Sequence, residues 1–356
     1  MAFGLKVGRT AVGLDIGASA VRVAQLAGTR EAYTLQRFGQ VALPEGAVTD
    51  GEIRDAGAVS QAVAQLFKKS RLKAKRAVVG IANQRVVVRQ VDFPYLEESE
   101  FRQSLRFQAA EYIPMPVDDA ELDFIVIDDY TTENQEHMMR VLLVAAATDT
   151  VETFVSTVIA GGIQPDAIDL VPFAVARAVS SSARGEIGLE GSEAIVDVGA
   201  AVTNVIVHAN GEPRFVRILL AGGNDASNAL AEELGVSFEE AEAVKLDLGR
   251  DVGPEAGRLV LRRQVDSLVE EIRGSLDYYL SQEDSEPVTS IILTGGGSLT
   301  AGLSARLELL LRTPVVTGSP LSQMNTSKSG LTEDQIRQVD PVCATAVGLA
   351  MGALEK

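Results

Sequence analysis

Apolar residues recur along the chain with two different spacings, and the spacing in each segment predicts its secondary structure. Short apolar or alternating runs predict strands, and apolar residues at helical spacing predict helices between them. Strands open the chain up to about residue 44, and Pro44 with Gly46 then predicts a loop. The strand-like segments that follow are 77–82, 86–93, 122–128 and 139–147, and the helical segments are 57–70 and 97–112. Strands that alternate with helices in this way indicate an α/β protein.

One segment occurs twice, roughly half a chain apart. The sequence LDIGASAVRVA at 14–24 aligns without a gap on VDVGAAVTNVI at 196–206, so that Asp15 matches Asp197 and Gly17 matches Gly199. A duplicated unit fixes an architecture more firmly than local propensity does. The repeat therefore predicts two lobes that share one topology.

Each copy of the repeat predicts a β-hairpin whose tip carries an Asp-x-Gly sequence. Glycine lets backbone N–H groups approach an anion closely, and an aspartate beside them can hold a hydrated divalent cation. Two such tips, one from each lobe, would suit a metal-bound polyphosphate. The alternative is that Asp-x-Gly only turns the hairpin, but the repeat at half-chain spacing favours a ligand site.

A third glycine-rich segment, IILTGGGSLTAGL at 291–303, follows in the second half. An apolar strand, three glycines and a helical pattern would bring backbone close to the sugar and phosphates of a nucleotide. The apolar stripe of that helix is predicted to be Leu299, Leu303, Leu307 and Leu310. The segment lacks the lysine of a Walker A loop, and Thr300 stands where a Rossmann fingerprint needs glycine.

Composition excludes several classes of protein. The chain has 356 residues, 46% hydrophobic and 23% charged, which predicts two or three globular domains and no disordered chain. Its net charge of −17 repels nucleic acid, so no nucleic-acid partner is expected. The single cysteine, Cys343, rules out an intrachain disulfide. We find neither an export signal nor an apolar run of about 20 residues, which indicates a cytoplasmic protein.

In their order, the three motifs resemble those of the actin, Hsp70 and sugar-kinase superfamily. The segments AAEYIPMPVDDAELDFIVID at 109–128 and GGNDASNALAEELGVSFEEAEAVKLDLG at 222–249 are similar to the PilM family of FtsA-like type IV pilus proteins. The Val-Thr-Asn end of the second hairpin motif is similar to that family as well. The resemblance implies an actin-like (ASKHA) α/β fold, duplicated and two-lobed, in which an FtsA-like 1C domain stands in place of actin 1B.

The resemblance also implies where the subdomains begin and end. The inserted 1C domain is expected at 84–140, and a hinge between the halves at 185–192. An apolar helical stripe within 258–280 is interpreted as core packing of subdomain 2B. The other expected segments are 1–83 and 141–190 for subdomain 1A, 191–222 and 286–339 for 2A, 223–285 for 2B, and 340–356 for a C-terminal helix that returns to 1A.

Carried over residue by residue, the resemblance implies a site for ATP and Mg²⁺. Asp15 and Asp197 are expected to hold the magnesium ion, directly or from a second shell. Glu242 and Lys245 are expected to contact the ribose and the base. The full set of expected cofactor-binding residues is Asp15, Gly17, Ala18, Ser19, Arg22, Asp197, Gly199, Ala200, Thr203, Glu242, Lys245, Gly295, Gly296, Gly297 and Ser298.

Two departures from the superfamily pattern bear on ATP hydrolysis. Where FtsA and Hsp70 have Gly-Gly-Thr-x-Asp in the second loop, this chain has Ala200, Ala201 and Asn204, so an acidic group is missing. Val171 stands where several relatives carry a polar residue that positions the attacking water, and Asp169 is the nearest carboxylate. Water positioning needs a polar group within reach, so we expect ATP binding with slow or absent hydrolysis and name no catalytic residue.

The resemblance implies a protein that works at the inner membrane through a partner. In the PilM family the short N-terminal cytoplasmic tail of the bitopic protein PilN binds in a groove between 1A and 1C, whose expected walls are the 1C strands and the 97–112 helix. The expected partners are this tail, the PilN/PilO complex, and pilus motor or platform proteins, with twitching motility as the process and indirect membrane contact. Three alternatives stay open: a small-molecule kinase, an FtsA-like filament-forming protein, and a relative of the cytoplasmic domain of type II secretion.

The run KKSRLKAKR at 68–76 holds six basic residues in an otherwise acidic chain. We interpret it as a solvated helix end and loop, with a contact to acidic partners or lipid headgroups as the alternative. His137 and His208 lie far apart with no cluster around them, so neither is expected to bind metal or to act in catalysis. Cys343 is expected to be a small core residue.

Overall fold

The computed structural model describes residues 10–30, 32–180, 191–282 and 285–355. The strands and helices predicted between residues 57 and 147 are present, with ends shifted by at most three residues. The strands are β1 (Thr10–Ile16), β2 (Ala20–Thr29), β3 (Ala32–Ala42), β4 (Val48–Thr49), β5 (Glu52–Ile53), β6 (Arg76–Ile81), β7 (Val86–Pro94), β8 (Ala120–Thr131), β9 (His137–Ala147), β10 (Gln164–Leu170), β11 (Ser192–Val198), β12 (Thr203–Ala209), β13 (Glu212–Leu219), β14 (Val288–Thr294) and β15 (Val315–Thr317). The helices are α1 (Ala56–Lys69), α2 (Glu98–Ala109), α3 (Thr148–Ala160), α4 (Val171–Val179), α5 (Gly223–Leu234), α6 (Phe238–Leu248), α7 (Glu255–Leu280), α8 (Leu303–Leu311), α9 (Glu333–Val339) and α10 (Ala344–Glu355).

Two five-stranded sheets within the described residues have the same topology, one in each half of the chain. The first sheet has the order β10-β6-β1-β2-β3, with β1, β2 and β3 antiparallel and with β6 and β10 parallel to β1. The second sheet has the order β15-β14-β11-β12-β13 and repeats each of these directions. The prediction of a duplicated, two-lobed actin-like fold is therefore confirmed.

A smaller antiparallel sheet, β7-β9-β8, interrupts the first half where the 1C domain is expected. Helix α2 packs on one of its faces, where Phe101 shares a core with Val141 and Leu143. Alternate residues of a strand point to opposite faces, so Val144 and Ala146 lie on the other face and join the core of the first sheet. The bounds 84–140 for this domain stay a prediction.

Helices α4 and α10 lie between the two five-stranded sheets. They share one apolar core with Leu26 of the first sheet and with Ile195 and Ile292 of the second. The helices approach closely, because a Cβ added to Gly348 of α10 would lie 1.7 Å from the carbonyl oxygen of Ala174 in α4. A continuous core of this kind holds the two lobes together by burial of apolar surface.

The apolar stripe predicted within 258–280 is buried, but the expectation that it packs within subdomain 2B is only partly correct. Leu261 packs with α5 and α6, whereas Val265, Ile272 and Leu276 pack against the second sheet. The reason is length: α7 has 26 residues, and at 1.5 Å per residue it extends roughly 39 Å, beyond the small helical cluster and across the sheet.

The stripe predicted from Leu299 to Leu310 begins one turn too early. Helix α8 begins at Leu303, and Leu299 lies in a preceding 3-10 turn with its side chain 64% exposed. Leu303 and Leu307 are buried, and Leu310 packs against their core. Gly302, with φ of +85°, separates the turn from the helix, so the spacing of the leucines continues across a break in the backbone.

Candidate functional site

The tip between β1 and β2 is built around a charged pair across the hairpin. Asp15 and Arg22 are opposite each other in the strand register, and Nη1 of Arg22 lies 3.5 Å from Oδ2 of Asp15. Nη2 of Arg22 lies 3.5 Å from Oγ of Ser19, and the N–H of Gly17 donates to the carbonyl of Ala20 at 3.1 Å. The buried Nε of Arg22 has no hydrogen-bond partner within the described residues.

The tip between β11 and β12 repeats this arrangement with one exchange. Asp197 lies opposite Asn204, and the side-chain amide of Asn204 donates to Oδ2 of Asp197 at 2.9 Å. The N–H of Gly199 donates to the carbonyl of Val202 at 2.8 Å and closes the tip. Oδ1 of Asn204 is buried and, in the part of the chain that the structure describes, accepts no hydrogen bond.

The second tip is attached to the beginning of α5. The N–H of Asn224 donates to the carbonyl of Ala200 at 2.7 Å. The hydroxyl of Thr203, expected to contact phosphate, donates to the carbonyl of Ala221 at 2.7 Å, and the Thr203 side chain is fully buried. In this geometry Thr203 holds the tip to the segment that leads into α5, and its fully buried side chain is not exposed at the surface.

The two tips are close enough for their charges to act on each other. Burial raises the pKa of Asp197 to about 6; the amide of Asn204 opposes this rise, and the negative charge of Asp15 adds to it. Burial also raises the pKa of Asp15 above its usual range, against the opposing effect of Arg22. Two buried carboxylates that share one nearby guanidinium form a site in which a further cation would be stabilised.

Glu242 and Lys245, on one face of α6, are held against the first turn of α5. Nζ of Lys245 lies 2.5 Å from Oε1 of Glu242, 2.9 Å from the carbonyl oxygen of Gly223 and 2.6 Å from Oγ of Ser227. The hydroxyl of Ser227 also donates to Glu242. Sequence reasoning missed Ser227, whose one signal is a spacing of four residues from Gly223 on a helix face.

The loop after β14 lies directly against the second tip. Gly295 has a φ of +87°, and a Cβ at this position would lie 2.3 Å from the carbonyl oxygen of Val198 and 2.6 Å from Oδ1 of Asp197. A Cβ added to Gly297 would lie 2.5 Å from Cγ1 of Val198. The hydroxyl of Ser298 donates to the carbonyl of Gly295 at 2.6 Å and fixes the turn. The structure thus brings this loop, the second tip and α5 together.

The residues at the tips fit a metal-bound nucleotide. Arg22 offers a free N–H donor and Asn204 a free acceptor, both buried. The N–H groups of Gly17 and Gly199 close the hairpins, so an anion would meet the backbone N–H groups that follow these glycines in each tip. No group of three or more His, Cys, Asp or Glu that would hold a metal ion by itself occurs in the described ranges. Asp15 and Asp197 would therefore hold Mg²⁺ together with water and phosphate oxygens, as Mg²⁺ prefers.

Asp169, the carboxylate nearest to the expected water-positioning residue, is already occupied. Arg177 forms an ion pair with it, and the N–H of Leu170 donates to its Oδ1 at 2.8 Å. Arg177 also donates to the carbonyl of Gly348 in α10 at 2.6 Å. Val171 is buried at the beginning of α4. Val171 thus offers no polar group, and the carboxylate of Asp169 is engaged by Arg177 and by the N–H of Leu170.

A cavity of about 1210 Å³ opens away from the tips, beside the small sheet. Its walls come from β8, β9, β10, α3 and α4 of the first half and from the β12–β13 turn and residues 319–324 of the second. Helix α2 packs on the opposite face of the small sheet and does not line this cavity, so its expected role as a wall of the PilN groove stays a prediction. The apolar side chains that line the cavity include Leu122, Ile125, Val144, Val151, Ile168, Phe173 and Met324.

The remaining residues singled out in the sequence have ordinary surroundings. His137 stacks on Tyr95 with ring centroids 4.0 Å apart, and Nε2 of His208 lies 2.9 Å from Oε2 of Glu193. Cys343 is fully buried, as expected for a core residue, and burial raises the pKa of its thiol. The expected hinge lies largely outside the described residues, which resume at 191.

Comparison with known proteins identifies the family. The model of the type IV pilus assembly protein PilM family matches residues 13–354. The chain belongs to the PilM family. A chain in a solved PilM-PilN type IV pilus biogenesis complex is 25% identical, with a TM-score of 0.83, over 97% of this chain and 99% of that one. These matches confirm the family and the fold that the sequence motifs predict.

Two more distant proteins place the PilM-family chain among actin-like proteins. Cell division protein FtsA of Neisseria meningitidis serogroup B is 24% identical over 382 residues, which cover 96% of this chain and 89% of FtsA. MreB5 of Spiroplasma citri, solved bound to ADP, has a TM-score of 0.50 at 13% identity over 96% of this chain and 94% of MreB5, a likeness of fold alone. A search of the described residues finds no helix with the length and apolar character to cross a membrane.

Proposed function

We propose that this chain is an ATP-binding, actin-like scaffold of the type IV pilus inner-membrane assembly platform. The observation that carries the proposal is the similarity over nearly the whole chain to a protein solved in a PilM-PilN complex. Two lobes with facing hairpin tips supply a cleft for the nucleotide, and the cavity beside the small sheet supplies a surface for the partner. These comparisons favour neither a small-molecule kinase nor an FtsA-like filament.

ATP and Mg²⁺ bind at the two tips in this proposal. Asp15 and Asp197 hold the magnesium ion, which supplies positive charge against the phosphates, and Arg22 donates to the phosphates from the first tip. The loop at 295–298 and the pair Glu242 and Lys245 lie on the side of the ribose and base. We expect slow or absent hydrolysis, because Val171 has no polar group and the carboxylate nearest to it in the sequence, Asp169, is paired with Arg177.

The N-terminal cytoplasmic tail of PilN docks in the cavity beside the small sheet. The support is structural: the cavity has apolar walls such as Ile125 and Phe173 and is large enough for a short peptide segment. Docking there would hold the chain at the inner membrane through PilN, in a PilN/PilO complex that engages the pilus motor and platform proteins for twitching motility.

Two neighbouring residues on β8 provide a matched test of this docking site. Ile125 lines the cavity and is 38% exposed, whereas Val126 is 43% exposed and points to the opposite face of the strand, outside the cavity. A labelled peptide with the sequence of the PilN tail should bind the wild-type chain and the Val126→Glu variant alike. Ile125→Glu should weaken binding about tenfold or more, because it places a charge in an apolar contact.

Peptide binding by the two variants distinguishes docking in this cavity from docking elsewhere on the chain. Equal binding by the Ile125→Glu and Val126→Glu variants would place the peptide elsewhere, and no binding by the wild-type chain would remove PilN as a direct partner. Because both variants change exposed residues, their melting temperatures should match that of the wild-type chain and serve as the folding control.

A further inference from the structure

The end of α1 and the loop that joins it to β6 carry an unusual concentration of lysine. Four of the eight lysines of the chain lie between residues 68 and 75, although the net charge is −17. Together with one arginine they form what we call the basic patch, which consists of Lys68, Lys69, Arg71, Lys73 and Lys75. Each of the five is exposed.

The backbone of the loop holds these side chains outward. The N–H of Leu72 donates to the carbonyl of Phe67 at 3.0 Å, and the carbonyl of Lys75 accepts from the N–H of Gln164 at 2.8 Å. Leu72 and Ala74 are partly buried against the core of the first sheet. Because residues in an extended segment alternate in direction, the lysines on either side of Ala74 point into solvent.

The cations of the basic patch lack acidic partners. Within the described ranges none of the five lies within 4 Å of a carboxylate. The adjacent Arg76 does pair with Asp166, and exposed arginines elsewhere, such as Arg102 and Arg250, are paired as well. The basic patch is therefore a set of five neighbouring charges that no carboxylate of the described residues neutralises by direct contact.

Stabilisation of the end of α1 explains only two of the five cations in the basic patch. Lys68 and Lys69 lie in the last turn of α1, where the helix dipole favours a cation. Lys73 and Lys75 follow the helix and make no such contact, so their charge has no structural role in the fold. Arg71, Lys73 and Lys75 are exposed at every second residue. This arrangement suits a binding partner whose surface carries many negative charges.

We propose that the basic patch binds the anionic headgroups of a phospholipid bilayer. Clusters of four to eight Lys and Arg are the size that anionic lipid surfaces attract. Lysine is a compact point charge that contacts a diffuse layer of phosphates, whereas recognition of single carboxylates on a protein favours the planar fork of arginine. At physiological salt, charges of the chain that lie more than about 8 Å from the patch are largely screened, so its net charge of −17 does not prevent a local contact.

The contact gives the chain an orientation at the membrane. With the basic patch against the headgroups, the end of the first lobe that carries residues 68–75 faces the bilayer, and the anionic layer repels acidic surfaces of the chain. The inference adds a direct lipid contact to the attachment through PilN, and it does not depend on where the PilN tail binds.

Sedimentation with lipid vesicles tests the inference on the purified full chain without PilN. We expect the wild-type chain to bind vesicles of equal parts phosphatidylcholine and phosphatidylglycerol, and to bind vesicles of phosphatidylcholine alone far more weakly. The double variant Lys73→Gln with Lys75→Gln should lower the partition coefficient about twenty-five-fold, at about five-fold for each lysine near an anionic surface. Binding should also disappear near 1 M salt, where the Debye length falls to about 3 Å.

A second double variant provides the charge-matched control. Arg217→Gln with Arg263→Gln removes the same charge from exposed positions in the second half of the chain, and it should bind vesicles as the wild-type chain does. Equal binding of wild type to the two vesicle types, or equal loss in both double variants, would overturn the proposal. Binding of the PilN peptide should be unchanged in the Lys73 and Lys75 variant, so failure here and failure of the PilN site are distinguishable.

Discussion

The two hairpin tips share one backbone but differ in the residue opposite the aspartate. In the first tip Arg22 places a guanidinium 3.5 Å from Asp15, and in the second tip the neutral amide of Asn204 donates to Asp197 at 2.9 Å. The cation opposes the cost of burying Asp15, whereas the amide leaves Asp197 with a pKa of about 6. A duplicated scaffold thus carries one carboxylate with a cationic partner and one with a neutral partner.

The difference teaches how a duplicated fold becomes an asymmetric site. Asp197 has no cationic side chain opposite it in the hairpin, so a bound cation would stabilise its carboxylate directly, and Asp197 is the candidate for the magnesium side of the cleft. Arg22 already supplies a positive charge and is suited to the phosphates themselves. The three predictions below separate these roles.

The largest effect on the free energy of unfolding is expected from a substitution in the glycine loop that lies against the second tip. Gly295→Ala should destabilise the chain by about 3 kcal/mol or more, because the new Cβ lies against Val198 and Asp197 at a φ of +87°. Gly296→Ala is the matched control, since its Cβ would meet only Val342, at 3.5 Å. Urea unfolding of the two variants measures the difference, and equal free energies of unfolding would contradict the packing described for this loop.

The next largest effect is a difference in the free energy of unfolding between variants of the two aspartates. Asp197 has a pKa of about 6 in the folded state against 3.8 for the free group, so its contribution to stability is present below pH 4 and is lost as the pH rises to 6. Asp197→Asn should therefore stabilise the nucleotide-free chain by roughly 2–3 kcal/mol at pH 8. Asp15→Asn should give a smaller gain, because burial raises the pKa of Asp15 as well but the change also removes the ion-pair partner of Arg22.

Thermal unfolding at pH 8 and at pH 5 measures both variants. The gain from Asp197→Asn should shrink at pH 5, where the wild-type carboxyl is mostly protonated. A gain of equal size in the two aspartate variants would mean that Arg22 and Asn204 compensate their partners equally, against the comparison drawn above.

The smallest effects concern the two residues opposite the aspartates. Arg22→Ala should weaken ATP binding about ten- to a hundredfold, the range for a charge-assisted hydrogen bond, and Arg22→Lys should keep most of the affinity. Asn204→Ala should weaken it less than about tenfold, because a neutral hydrogen bond contributes less. Competition against a fluorescent ATP analogue ranks the variants, and a larger loss from Asn204→Ala would reverse the assignment.

The duplicated fold was predictable because the repeat around Asp15 and Asp197 lies within short, local sequence. The contacts that assemble the site were not predictable, because they join distant segments: Lys245 with Ser227, and Asp169 with Arg177 and Gly348. The leucine spacing across Gly302 misplaced the start of α8 for a local reason, since periodicity does not register a break in the backbone. The cavity has no sequence signal at all, because its walls come from several separate elements.

The central claim is that both tips bind one ATP with Mg²⁺, and isothermal titration of the purified chain, with phosphate release followed in parallel, tests it most directly. The account predicts one ATP per chain, Mg²⁺-dependent affinity that falls in both Arg22→Ala and Asp197→Ala, and little phosphate release. Absence of binding at millimolar ATP, or binding that survives the loss of both side chains, would contradict it.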